Sequence, residues 1–320
     1  MLQHHPGDAF LSVVSETLAK RLEECASQAV SNSLLGLATF GYKMDEEMLK
    51  ALGGKRHARR CNSQDLCNSI WALAAVDAFE AEVYGDLWAR VSSMHHDEFA
   101  PEGLNMLYHA CVMHQDHWMD QHAVGNDDVV DEEVLDDVTN TSKKRKSTNQ
   151  STITTKSTKA KGFSSSLHGM GVREVALQRH DTPIWLDTIA KKSYDDQTIH
   201  SVTLSAFHKH VSTRIRAGFI KNVADEYLTE DGVMSIDIAL LDHKIAIECD
   251  GPSHFEKNME KSMTHKTIIR NRGLERRGWR VVSIPYFEWQ EANANETHRK
   301  YLEDKLASVG VQREQVLTLF

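Results

Sequence analysis

The chain has 320 residues, of which 41% are apolar and 26% charged, and a net charge of −9. That length accommodates two domains with cores of their own, and the charge excludes a uniformly basic nucleic-acid coat. The longest apolar runs, Ile70 to Val76 and Val281 to Ile284, fall far short of the roughly 18 to 20 residues that cross a bilayer, so no membrane role is expected. Five scattered cysteines without CxxC spacing argue against a disulfide framework or a zinc site and fit a reducing compartment. Eighteen histidines fall into no HExxH or finger pattern and read as scattered surface residues. Met1 to Phe10 shows neither the Arg-rich amphipathic stretch of a transit peptide nor the apolar core of a signal peptide. Either this end is incomplete or the protein stays in the cytosol or nucleus.

The N-terminal region, residues 1–122, is repetitive. Ser27 to Ala38 aligns with Ser63 to Ala74, and a weaker third copy runs through Pro101, Leu104, Asn105, Leu107, Tyr108 and Ala110. Asn32, Asn68 and Asn105 stand 36 and 37 residues apart, a period that holds one helix-turn-helix unit and predicts an α-solenoid. Leu34, Leu37 and Ala38 recur as Ile70, Leu73 and Ala74 at helical i, i+3, i+4 spacing, the pattern of a buried face. A Ser or Pro opens each first helix, while Glu46 to Leu52 and Glu82 to Val91 form the second helices. An array of three repeats needs a cap or a docking partner, so either Leu11 to Ala29 caps it or further repeats precede it.

Residues 123–163 change character. Acids crowd Asp127 to Asp137, then Lys143-Lys144-Arg145-Lys146 leads into a Ser/Thr/Lys-rich tract. Such a stretch buries too little apolar surface to offset its ordering entropy, so a disordered linker is expected; the basic tetrad reads as a solvated charge run or a nuclear localisation signal. A helical connector, residues 164–232, follows, with amphipathic helices predicted at Ile184 to Lys191 and Val202 to Gly218. The second carries His208, Lys209, His210, Arg214 and Arg216, facing RNA or water.

From Val233 the pattern alternates. Ser235 to Leu240 and Lys244 to Asp250 predict a hairpin, and period-two geometry puts Asp237, Glu248 and Asp250 on one face with Ala239 and Ala246, opposite Ile236, Ile238, Leu240, Ile245, Ile247 and Cys249. Three carboxylates so enclosed by apolar neighbours require a metal, cations or a bound-water network, because burying unpaired charge is expensive. A helix from Thr264 to Arg277, stopped by Gly278, carries Lys266, Arg270 and Arg277 on one face; Lys266 to Arg280 holds six cations and one acid. A strand from Trp279 to Ile284 and a last helix around His298 to Leu306 complete the region.

Asp237-Ile238-Ala239, Ile247 to Phe255, Gly278-Trp279, Ile284-Pro285-Tyr286, Glu288-Trp289 and Tyr301-Leu302 occur in an order that resembles a RAP domain, over residues 233–310. The Asn-Ser-Ile-Trp-Ala-Leu-Ala core of the helical copies is similar to the octotricopeptide-like and FAST-kinase-family-like repeats that precede RAP domains. The resemblance implies an α plus α/β architecture, with N-terminal helical repeats and a small C-terminal domain of restriction-endonuclease-like fold. It also implies RNA binding in mitochondria or plastids, in transcript stabilisation, processing or ribosomal RNA maturation.

A nuclease of that fold holds Mg²⁺ with acids and uses a nearby Lys. Asp237 and Glu248 are the candidate metal ligands, with Asp250 and His254 completing a catalytic set, but Asp250 stands where the Lys belongs. Single-stranded RNA binding without cleavage, and without a cofactor, is therefore preferred, through Lys266, Arg270, Arg276, Arg277 and Arg280 for phosphates and Phe287 and Trp289 for bases. The alternatives are a Mg²⁺-dependent endoribonuclease, a scaffold that binds a protein partner through the repeats, and a purely structural pairing of Asp237 and Glu248 with Arg270 and Arg277.

Overall fold

The computed structural model describes residues 4–53, 55–123, 183, 185–199, 205–218, 222–259 and 261–311. Nearly all of the expected linker, with its basic tetrad, lies outside the described residues.

The repeats are helical throughout. α1 (Asp8–Arg21) and a 3-10 turn lead into α2 (Ser27–Thr39), α3 (Glu46–Leu52), α4 (Arg56–Arg60), α5 (Ser63–Ala75), α6 (Glu82–Ser92) and the long α7 (Pro101–Ala123). The repeated first helices α2, α5 and α7 lie side by side in sequence order. The first two repeated Asn residues bond each other: Asn68 Nδ2 donates to Asn32 Oδ1 at 3.0 Å, and Gln64 Nε2 donates to Asn68 Oδ1 at 2.8 Å. Ser31 Oγ donates to Asp65 Oδ1 at 3.0 Å. Ser31, Asp65 and Asn68 are buried in this layer, where polar side chains persist by bonding partners, and these links fix the register between the first two repeats. The serines expected to open α2 and α5 sit one position inside them. The cap of α5 is Asn62, whose side chain accepts from Asp65 N while Asp65 accepts from Asn62 N, a reciprocal capping box.

After α7, a π-helical turn (Leu186–Ala190) and α8 (Lys191–Ile199) pack against it, and α9 (Ala206–Gly218) precedes a four-stranded sheet. The strands are β1 (Val223–Leu228), β2 (Ser235–Leu240), β3 (Ile245–Asp250) and β4 (Arg280–Pro285), in the order β1-β2-β3-β4. β1–β2 and β2–β3 are antiparallel, and β3–β4 is parallel, with α10 (His265–Arg276) as the crossover. α11 (Tyr286–Ala294) and α12 (His298–Ser308) end the described chain. The predicted hairpin, crossover helix and final strand are present. β1 was not anticipated, because Asp225 and Glu226 interrupt its apolar residues, and the expected boundary at residue 233 cuts through the sheet that β1 begins.

The sheet separates two cores. On one side Ile238, Leu240, Ile245, Ile247, Cys249, Val282 and Ile284 pack with Val211 and Ile215 of α9 and with Trp289, Leu302 and Leu306. On the other, Ala239, Ala246, Ile269, Leu274 and Trp279 belong to the same apolar cluster as the repeats. The docking partner that three repeats require is thus the C-terminal part of the same chain, with α10 packed on α7 and α2.

Candidate functional site

β3 is buried along its whole length, and the two-residue period of the strand aims its even positions at α10. Ala246 enters the core shared with the repeats, and Glu248 and Asp250 follow on the same side. Arg270, near the middle of α10, meets both: Nη1 lies 3.2 Å from Glu248 Oε2 and Nη2 2.8 Å from Asp250 Oδ1. The turn Gly251-Pro252-Ser253-His254 brings His254 Nδ1 to 3.2 Å from Asp250 Oδ1 and 3.3 Å from both Thr267 Oγ1 and Arg270 Nη1. Ser283, across the parallel ladder, donates to Asp250 Oδ2. Asp237 reaches the same crevice from β2: the paired register of β2 and β3 stops at Ile238 and Ile247, and Asp237 Oδ2 accepts the N–H of Cys249 at 2.7 Å.

These acids have opposite electrostatics. Burial pushes the Glu248 carboxyl up to about 8; Arg270 opposes the shift, while Asp237 and Asp250 add to it. Glu248 is 1% exposed and its Oε1 makes no hydrogen bond. Asp250 is equally enclosed, but there the bonds from His254, Arg270 and Ser283 overcome burial and hold its carboxyl below the usual range. One guanidinium shared between two carboxylates stabilises the better-bonded one as an anion and favours a proton on the other.

The predicted cations divide. Lys266 is exposed. Arg276 and Arg277 turn away from the crevice toward α7: Arg276 Nε donates to Asp120 Oδ2 at 3.1 Å, and Arg277 Nη1 donates to Asp116 Oδ2 at 2.6 Å. Arg277, which is the C-cap of α10, also donates from Nε to Asp231 Oδ2 at 2.7 Å. Arg272, absent from the predicted set, donates to Asp77 Oδ2 at 2.5 Å. The basic run read as a single RNA face is thereby corrected: Arg272, Arg276 and Arg277 hold α10 to the acids of the repeats. Of the purely structural pairing, Glu248 with Arg270 is present, whereas Arg277 pairs with Asp116 and Asp231. Arg280 donates from Nη2 to His243 O at 2.7 Å and from Nη1 to Val309 O.

The two aromatics also part. Trp289 is 3% exposed and donates from Nε1 to His210 Nδ1 at 3.3 Å, so its ring is core. Phe287 is half-buried, edge-on to Phe255 at 5.2 Å and to Tyr286 at 5.4 Å between centroids, with Lys261 Nζ 5.6 Å from its ring centre. Because Phe255 follows His254 directly, this aromatic and cationic patch adjoins the crevice. On α9, Lys209 and Arg214 are exposed, whereas His208 is buried against β1. The sequence reading missed the acids Asp77, Asp116 and Asp120 that receive the arginines.

The RAP domain family matches residues 247–305, which run from Ile247 in β3 to Lys305 in α12. A protein of Oryza sativa subsp. japonica described as "RAP domain-containing protein, chloroplastic" is 36% identical over 74 residues, covering 23% of this chain and 11% of that protein. Glu248 and Asp250, the turn after them and the crossover helix all fall inside the matched segment, so this chain carries a RAP domain.

Proposed function

We propose that this is an organellar RNA-associated protein whose RAP domain holds single-stranded RNA without cutting it. The observation that carries the reading is the position of Arg270, whose guanidinium already lies between Glu248 and Asp250. A metal-dependent nuclease keeps that space for Mg²⁺ and places a Lys beside it. Here Asp250 replaces the Lys and a fixed cation repels the metal, so the pair Asp237 and Glu248 does not fit a hydrolytic Mg²⁺ centre, and no step is derived through one. The patch of Phe287, Tyr286 and Lys261, with Lys266 beyond His254, supplies what RNA retention needs: a ring for a base to stack on and cations for phosphates. The chloroplastic rice relative supports an organellar setting. Transcript stabilisation, processing and ribosomal RNA maturation are the steps in which such a module would serve.

Because α10 occupies part of the face formed by the first helices of the repeats, the repeats act in this reading as a platform for the RAP domain. The test is purified full chain with labelled single-stranded RNA, in Mg²⁺ and in chelator, scoring retention and cleavage together. Salt-sensitive retention of intact RNA in both conditions is expected, weakened in Phe287→Ala by about 1–3 kcal/mol. Mg²⁺-dependent cleavage that disappears in Glu248→Ala makes the protein a nuclease; affinity no better than for a generic polyanion leaves a protein scaffold.

A further inference from the structure

A second constellation lies at the β1 side of the sheet. His208, on the first turn of α9, is 4% exposed, and its Nδ1 lies 3.3 Å from Glu226 Oε1. Its Nε2 points at Asp225 Oδ1 across 3.5 Å yet makes no hydrogen bond. Asp237 reaches this place from β2, so that one ligand atom from each of His208, Glu226 and Asp237 falls within 4.8 Å of the others. Glu226 is held with φ +50, a left-handed conformation that costs a non-glycine residue energy and persists only where the surroundings impose it. Two carboxylates converge on a buried imidazole; Arg216 pairs with Asp225 behind it and Arg270 with Glu248 and Asp250.

We infer that His208, Glu226 and Asp237 form a binding site for a divalent transition cation of the Zn²⁺ or Mn²⁺ class. A cation with bonds of about 2.1 Å places its donors roughly 3.4 Å apart in tetrahedral geometry. His208 Nδ1 and Glu226 Oε1 already have that spacing, and Asp237, with a carboxylate oxygen within 4.8 Å of the other two donors, closes the remaining gap while its Oδ2 accepts from Cys249 N. A donor set of one imidazole and two carboxylates suits Zn²⁺ or Mn²⁺ better than Mg²⁺ or Ca²⁺, which prefer oxygen alone. Asp225 supplies the outer partner: a metal-bound imidazole hands its second ring N–H to a carboxylate. That carboxylate is itself fixed by Ser212 Oγ at 2.6 Å and Arg216 Nη2 at 2.8 Å. The cation ties α9, β1 and β2 together, closing the edge of the sheet beside the crevice. Neither RNA binding nor cleavage is needed for this site to exist.

The experiment is direct binding to the full chain, prepared in chelator and dialysed, with Zn²⁺, Mn²⁺ and Mg²⁺ each titrated alone by calorimetry and with thermal melts alongside. Expected are one saturable Zn²⁺ or Mn²⁺ site, tighter than Mg²⁺ by at least tenfold, and a melting temperature raised by the same ions. His208→Gln and Glu226→Gln abolish that site, Asp225→Asn weakens it about 10- to 100-fold, and Glu248→Gln leaves it intact. A double variant, His95→Ala with His96→Ala, removes the exposed group around Asp97 and leaves the site as well. Should either substitution at His208 or Glu226 disturb folding, Asp225→Asn carries the test through affinity alone. Absence of a saturable site, its survival in both Glu226→Gln and Asp225→Asn, or its loss in the His95/His96 variant overturns the assignment.

Discussion

Replacing Arg277 by Ala tests the proposition that the basic helix is a structural clasp. The Arg277 and Asp116 side chains are 7% and 3% exposed and bond at 2.6 Å. Burial pushes Asp116 up to about 6 even with Arg277 in place, since the guanidinium only partly offsets it. Without Arg277 a carboxylate remains in the shared core with no bonded counter-charge, only the fields of Arg272 and Arg276, at a cost of about 3–5 kcal/mol. For a protein of this size that is a fall in melting temperature of about 6–20 °C, at roughly 2–4 °C per kcal/mol. The lost bond to Asp231 adds little, because Asp231 is 43% exposed. The pH dependence supplies a sharper criterion. In the variant the Asp116 carboxyl titrates above 6, so at pH 5 it is protonated and the deficit shrinks, whereas at pH 8 the full cost is felt. Urea titrations at both pH values, with Asp116→Asn added to complete a double-mutant cycle, measure it. A deficit below about 1 kcal/mol at pH 8, or one equal at the two pH values, refutes a buried clasp.

Two further outcomes follow from the same geometry. Since Glu248 titrates near 8 in the folded protein and near 4.5 when unfolded, the native state holds a proton that the denatured chain releases. Stability then falls as pH rises through that window, and between pH 6 and 8, above the Asp116 transition, Glu248→Gln flattens the decline in denaturant midpoints; an unchanged slope refutes the assignment. Gly41 has φ +71, and a Cβ there would come 2.7 Å from the ring of His265, which donates from Nε2 to Ala75 O at 3.1 Å. Gly41→Ala is expected to lower stability by about 1–3 kcal/mol. Gly36→Ala, inside α2 with open space around it, is expected to raise it by about 0.5–1 kcal/mol; equal thermal melts for the two variants contradict this.

The repeats were legible because their signal is local. Asn32 and Asn68 recur one structural unit apart, apolar residues keep the helical period, and α3 begins and ends at the predicted residues Glu46 and Leu52. β2 and β3 were legible for the same reason, since alternation along a strand assigns faces without knowledge of what covers them. β1 was not: with two acids among six residues it becomes a strand through pairing with β2, and its Glu226 takes a conformation that no propensity favours. The site was half legible. Grouping Asp237, Glu248 and Asp250 followed from strand period, but which of them Arg270 would neutralise did not.

Apart from β1, the sequence by itself determined the character of the segments: helical repeats, a hairpin bearing three acids, a basic helix, and the ordered motifs of a RAP domain. Those properties depend on residues a few positions apart, where backbone geometry fixes the relation between side chains. Only the tertiary structure decided what the charges do. A run of arginines reads the same whether it meets phosphate or carboxylate, and Asp77, Asp116 and Asp120 stand some 150 to 200 residues before the arginines they bind. Coulomb energy depends on distance through space and on burial, and neither is encoded in the spacing along the chain.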